Sequence, residues 1–194
     1  LVTMDMKIRM KLVSDVVFGN GISIPGGENI SILCDKYGFP HYKGGTFKGI
    51  FREELIRFLG WTGVPSIEID KRADVLLGKS GDDKKEEDRR LTFSDFTLSH
   101  TVKARILEEI GMGRPELVTE SLSHLRAFTK LDEEGMAEKG SLRICRCINK
   151  KLIFYSEVSC AEEDEELIRN ILQLIKWVGS MRNRGFGKVQ ISVL

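Results

Sequence analysis

Apolar residues fall at every second position in some stretches of this chain and at every third or fourth in others, and the two periods divide it into elements. Lys7-Ile8-Arg9-Met10-Lys11-Leu12 alternates, so Lys7, Arg9 and Lys11 share one strand face and Ile8, Met10 and Leu12 the other. Residues 19–29, with Pro25-Gly26-Gly27, read as a loop. Ile30-Ser31-Ile32-Leu33 reads as a short strand before a turn at Asp35-Lys36-Tyr37-Gly38. Phe47, Ile50, Phe51, Leu55, Phe58 and Leu59 then recur at helical period, with Thr46 placed to cap the helix and Lys48 and Arg52 four apart on another face. Residues 61–70 read as a loop and a strand, and 91–98 as a strand. Residues 100–136 are irregular, with helical fragments, and 141–158 read as a hairpin turning at Asn149-Lys150-Lys151. Leu167, Ile168, Ile171, Leu172, Leu174, Ile175 and Val178 form the buried stripe of a second helix. Glu162-Glu163-Asp164-Glu165-Glu166 opens it, complementing the positive end of its dipole, and Gly179 is placed to close it. A last strand, 188–194, turns Val189, Ile191 and Val193 inward. Strand, helix, strands, helix, strand is the order of a ferredoxin-like split βαβ fold, so the predicted class is α+β.

Composition narrows the picture. At 194 residues the chain is long enough for one real core, and a single domain over 1–194 is expected. The net charge is +1, so no global field draws in nucleic acid, and any such surface must be a local cluster. Residues 78–90 contain no hydrophobic side chain and cannot bury apolar area to offset ordering, which predicts a mobile charged loop. No apolar run approaches the roughly 20 residues that span a bilayer, and no signal-peptide pattern is present, so a cytoplasmic protein without membrane contact is expected. The four cysteines form no Cys-x-x-Cys pair. Cys145 and Cys147 would share one strand face, too few for a zinc site without distant ligands, so no metal site and reduced thiols are expected.

Two segments carry candidate chemistry. Arg182-Asn183-Arg184-Gly185-Phe186-Gly187-Lys188 joins the second helix to the last strand. Its glycines let backbone approach a ligand, its cations suit phosphates, and Phe186 offers a face for a base. The same residues also suit a helix-ending turn before a basic edge strand. His41-Tyr42-Lys43-Gly44-Gly45-Thr46-Phe47-Lys48-Gly49 is a second loop of this kind, running into a helix N-terminus that favours anions. The Gly-x4-Gly-Lys-Ser/Thr spacing of nucleotide hydrolases is absent.

At these residues the chain resembles a known family. Phe39-Pro40-His41-Tyr42-Lys43-Gly44-Gly45-Thr46-Phe47-Lys48-Gly49-Ile50-Phe51-Arg52 resembles the Pro-x-Ile-Pro-Gly-Ser-Ser-Leu-Lys-Gly-x-x-Arg signature of RAMP-superfamily CRISPR proteins. Gly179 to Arg184-Gly185-Phe186-Gly187 is similar to the family's C-terminal glycine-rich loop, and Leu91-Thr92-Phe93-Ser94-Asp95-Phe96 to its phenylalanine-serine-aspartate strand. His124-Leu125-Arg126 to Lys139-Gly140-Ser141-Leu142 sits where backbone-type members carry a thumb. The resemblance implies a ferredoxin-like, RNA-recognition-motif-like core with a thumb-like insertion at about 100–140. It also implies a role in holding guide RNA within a type III effector complex.

The expected RNA-binding residues are Lys43, Gly44, Gly45, Lys48, Arg52, Arg126, Arg182, Arg184, Gly185, Phe186, Gly187 and Lys188, with the cations converging on one face. Expected partners are guide RNA, target RNA, other RAMP-type subunits and further copies assembled on RNA. Family members that cut target RNA use an aspartate after the first strand, where this chain reads Gly27-Glu28-Asn29-Ile30. Glu28 is the substitute carboxylate, Asp35, which fits a turn position before the glycine loop, is the other carboxylate that could work with a metal, and His41 beside Lys43 is the candidate for metal-free cleavage; the alternatives to holding are a metal-dependent target-RNA endoribonuclease and a guide-RNA-processing endoribonuclease. No cofactor is expected for a holding subunit, and magnesium only for a nuclease. A subunit that holds RNA without cutting it is the preferred reading; a pure protein–protein module is the remoter one.

Overall fold

The computed structural model describes residues 3–23, 28–79, 91–130 and 132–194. Strand β1 (Thr3–Leu12) buries Met6, Ile8, Met10 and Leu12 and turns the residues between them outward, as the alternation requires. Helix α1 (Gly44–Trp61) buries Phe47, Phe51, Leu55 and Leu59, four apart along one face. Helix α2 (Ser66–Leu77) packs beside it through Ile69, Ala73, Leu76 and Leu77. Two short strands, β2 (Leu91–Phe93) and β3 (Thr97–Leu98), precede helices α3 (His100–Ile110) and α4 (Pro115–Leu122). Strands β4 (Ser123–Phe128) and β5 (Arg143–Ile148) form a separate two-stranded antiparallel sheet. β6 (Ile153–Ala161), α5 (Glu165–Leu174) and β7 (Val189–Val193) complete the chain.

The main sheet is antiparallel, in the order β2-β6-β1-β7, with β3 also on β6. Ile8 and Met10 lie opposite Ser156 and Phe154 on one side and Val193 and Ile191 on the other. Helices α1 and α5 pack together, and Phe47, Phe51, Ile168, Ile171 and Leu172 join the same buried cluster as Ile8 and Met10. Burying such a side chain is worth about 1.5–3 kcal/mol, so this layer holds the fold. Phe93 and Phe96 meet the Phe47 ring at 5.1 and 4.6 Å, fixing the start of α1 against the sheet. No helix among the described residues is long and apolar enough to cross a membrane.

Four local expectations are corrected. Residues 61–70 run into α2 rather than a strand: Pro65 sets the N-cap, and the buried stripe is too short to declare its period before Ala73. Residues 141–158 are not a hairpin; β5 and β6 follow each other but belong to different sheets, β5 joining β4 and β6 joining β1. Thr46 is not the cap of α1, which begins at Gly44, and the Gly44 N–H donates instead to Asp95 Oδ1 (2.9 Å). α5 ends at Leu174, and Gly179 lies beyond a stretch that bridges, at Trp177, to Lys188 just before the last strand. The stretch 100–136, irregular in sequence, contains α3, α4 and β4. Of the charged loop expected at 78–90, residues 80–90 lie outside the described residues.

Candidate nucleic-acid interface

The loop after α5 is clamped by backbone. Val178 N–H donates to Gly187 O, Gly187 N–H to Asp15 O (both 2.8 Å) and Ser180 N–H to Val17 O (3.0 Å). Gly187 has φ 82°, and a Cβ there would collide with the Val178 carbonyl, so only glycine closes the clamp. Between the clamped ends one 3-10 turn, Arg182–Arg184, sits between left-handed Met181 (φ 60°) and Gly185 (φ 82°). The tight turn leaves the side chains of Arg182, Asn183 and Arg184 exposed.

These side chains form one wall of a cleft of about 590 Å³, whose other wall comes from β4, β5 and Asn29-Ile30. Arg143, Arg182 and Arg184 line it together with Asn29, Asn183 and Phe128, and among the described residues no carboxylate lines it. The Phe128 ring lies between two guanidiniums, Arg184 at 5.4 Å and Arg126 at 5.9 Å, and meets Phe186 edge-on at 5.8 Å. Cation–π contacts of this kind are worth about 0.5–1 kcal/mol at exposed sites and hold both the cations and the ring in place.

A second cleft of about 300 Å³ lies on the other side of the same loop, lined by Lys43, Thr46 and Glu53 on one wall and Ser180 and Arg182 on the other. Gly179, Ser180 and Arg182 border both clefts. Lys43 is the N-cap of α1, so the positive end of that 18-residue helix adds to the field. Tyr42, beneath this cleft, has its phenol pushed up to about 12 by burial, which a backbone hydrogen bond with Gly179 only partly offsets. The two glycine-rich segments, more than 130 residues apart in sequence, therefore meet at Arg182.

The expected RNA-binding residues divide. Lys43, Arg182 and Arg184 line the clefts, and Arg126 lies behind them at 5.1 Å from the Phe186 ring. Gly45 and Gly185 are exposed beside them. The other expected residues lie elsewhere. Arg52 turns toward α2, pairing with Asp74 (2.9 Å) and donating to the Gly78 carbonyl, with a side chain 17% exposed. Phe186 is 2% exposed and cannot receive a base; the ring that reaches the cleft is Phe128. Gly44 and Gly187 are spent on packing, against Phe93 and Val178. Lys188 lies 6.0 Å from the Trp177 ring and lines neither cleft. Lys48 is half-buried and lines neither.

Two of the three candidate catalytic residues are held in ion pairs. Glu28 Oε1 accepts from Arg146 Nε at 2.6 Å, with both side chains about 15% exposed, and Arg146 also donates to Ser123 Oγ (3.1 Å). Asp35 accepts from the Tyr37 and Phe39 amides (2.9 and 3.1 Å) and pairs with Lys103 (3.2 Å), which ties its turn to α3. Burial holds the His41 imidazole below its usual range, and its buried Nδ1 has no hydrogen-bond partner. Among the described residues, no three His, Cys, Asp or Glu side chains gather closely enough to hold a metal.

Sequence reading missed Phe128 and Arg143. They are opposite each other in the β4–β5 register and are separated by 14 residues that carry no glycine-rich signature. Only strand pairing brings them to the loop.

The RAMP superfamily model matches residues 9–190. No curated protein matches the chain. The fold is similar to a chain in the cryo-EM structure of the type III-B Cmr-beta bound to cognate target RNA, with a TM-score of 0.71, 14% identity, and coverage of 98% of this chain and 97% of that one. It is similar also to a chain of the type III-B Cmr-beta in its apo state, with a TM-score of 0.68, 12% identity and the same coverage. With the family pattern spanning nearly the whole sequence, the chain belongs to the RAMP superfamily.

Proposed function

We propose that this protein is a guide-RNA-holding subunit of a type III CRISPR ribonucleoprotein effector complex, acting in the cytoplasm without cutting RNA itself. One observation carries the reading: in a chain of net charge +1, three arginines line one cleft that no carboxylate among the described residues lines. Such a cleft neutralises successive phosphates of a single strand, and the flanking Phe128 ring gives an unstacked base a surface. The second cleft, with Lys43 and the start of α1, continues the path along the same strand.

The sheet order β2-β6-β1-β7, with α1 and α5 packed together, supports a ferredoxin-like core in which β1, α1, β2, β6, α5 and β7 are the split βαβ repeats. The segment from α3 to β5 supports the thumb-like insertion at about 100–140, reaching the cleft through Phe128. Holding is favoured over cutting because the ion pair with Arg146 engages Glu28, and two amides with Lys103 engage Asp35. Other RAMP-type subunits, target RNA and further copies of the chain on the guide are the expected partners, as the similar Cmr-beta chains suggest.

The test is a pull-down of tagged protein from its native cells, with extraction of bound RNA. Co-purified small guide RNA, lost when Arg143, Arg182 and Arg184 are all replaced by alanine, is the expected result. Recovery of protein partners with no RNA would select the protein–protein module instead.

A further inference from the structure

Lys7, Arg9 and Lys11 alternate along β1 with the residues that pack against α1 and α5, so they stand on the sheet face that the two helices leave open. The strand register says what lies beside them. Arg9 sits between Tyr155 of β6 and Ser192 of β7, and Lys11 between Ile153 and Gln190. Lys188, two residues before Gln190, shares this face, as does its bridge partner Trp177. None of these cations lines either cleft. We propose that this open face of the main sheet is a second surface for single-stranded RNA, with phosphates on Arg9, Lys11 and Lys188 and bases on Tyr155 and Trp177.

Charge argues first. Among the described residues, none of Arg9, Lys11 and Lys188 is held in an ion pair. The acids that share the face on these strands, Asp5 and Glu157, stand toward its other end, Glu157 opposite Lys7 and Asp5 two residues further along β1. Lys7 therefore meets a carboxylate across the strand, whereas the residues opposite Arg9 and Lys11 carry no charge. Positions two apart on a strand lie about 6.6 Å from each other, a spacing that successive phosphates of an extended single strand can follow.

The rings favour a nucleic acid over an acidic peptide. Tyr155 lies 5.2 Å from the Lys7 ammonium, and Trp177, 38% exposed, lies 6.0 Å from that of Lys188. A phosphate drawn to such a lysine brings its base to the neighbouring ring, whereas an aspartate or glutamate side chain would use the cations and leave the rings idle. Stacking accepts every base because each has a π-face, so the surface holds a strand without reading its sequence. Gln190 and Ser192, beside Lys11 and Arg9, add hydrogen-bonding groups that suit sugar hydroxyls and base edges. This surface does not rest on the cleft reading, and the two fail separately.

The test is binding of a labelled oligouridine to the full chain as a function of salt. Replacing Arg9, Lys11 and Lys188 together by alanine should lower the slope of log affinity against log salt by about 2, at about 0.7 per phosphate. Tyr155→Leu should weaken binding about 5- to 150-fold at unchanged slope, and Tyr155→Phe should keep it. Both losses should persist when Arg143, Arg182 and Arg184 are already alanine; a cleft variant that binds like wild type would remove the cleft reading and leave this one standing. Should a sheet variant fail to fold, the wild type decides: irradiation with a thiouridine-bearing oligonucleotide should label the peptides carrying Tyr155 and Trp177. A sheet variant with unchanged slope and affinity, label on neither peptide, or polyglutamate bound as tightly as oligouridine would each overturn the proposal.

Discussion

Residues 41–49 and 179–188 carry the same kinds of residue, glycines among cations beside a helix end, yet the fold uses them differently. In the first segment much of the chemistry is absorbed internally. The Gly44 amide is taken by Asp95, Lys43 leans on the same carboxylate at 3.6 Å, and Arg52, just beyond, is paired with Asp74. In the second, the backbone clamp does the structural work and leaves Arg182 and Arg184 at a cleft that no acid among the described residues lines. A cation beside a carboxylate offers a ligand less net charge than one with no acid next to it, so Lys43 is the weaker anchor of the two clefts. That difference, invisible in composition, decides which cations of the two glycine-rich signatures line a cleft without an acid beside them.

The contrast can be broken most sharply at its glycines. Gly187→Ala forces a left-handed alanine into the Val178 carbonyl and should cost about 3 kcal/mol by denaturant titration. Gly45→Ala, in the first turn of α1 with open space around it, should leave stability unchanged or raise it by up to about 1 kcal/mol. Equal losses at the two sites would mean that both loops are structural. Next comes Glu28→Gln, which leaves the half-buried Arg146 without a counter-charge and should cost about 2 kcal/mol while RNA affinity holds. A wild type that cleaves guide-paired target RNA with magnesium, and a glutamine variant that does not, would make Glu28 catalytic after all.

Arg52→Ala should cost about 1 kcal/mol through its lost pairing with Asp74 and leave RNA affinity unchanged, unlike any arginine of the cleft. The smallest effect concerns His41. Its imidazole ionises less readily in the folded chain than in the unfolded one, so the unfolded chain binds more protons below about pH 6.5. Stability should therefore fall as pH drops from about 6.5 toward the lowered folded value, and His41→Asn should flatten that slope. A slope unchanged by the substitution would assign the acid sensitivity elsewhere.

Much of the fold was legible because single-face burial writes its period directly into sequence. β1, α1 and α5 each bury one face against the common core, and their apolar positions declare it. α2 and the β5–β6 junction were not legible: α2 carries its stripe on one small and three aliphatic residues, and alternation in β5 says nothing about which sheet the strand joins. The site was half legible. Arg182 and Arg184 stand out beside glycine, but the burial of Phe186 and the approach of Phe128 depend on β4 folding back over the loop. Arg52 looked available because its partner, Asp74, lies 22 residues away on a helix whose packing no local pattern predicts.

The central claim is that the cleft lined by Arg143, Arg182 and Arg184 binds the phosphates of single-stranded RNA. Its most direct test is the salt dependence of RNA affinity, measured for wild type, the triple alanine variant and Arg52→Ala. Each neutralised phosphate contributes about 0.7 to the slope of log affinity against log salt, so the triple variant should lose a slope of about 2, with weaker binding, while Arg52→Ala tracks wild type. A triple variant that keeps both the slope and the affinity, or an Arg52→Ala variant that loses them, would contradict the account.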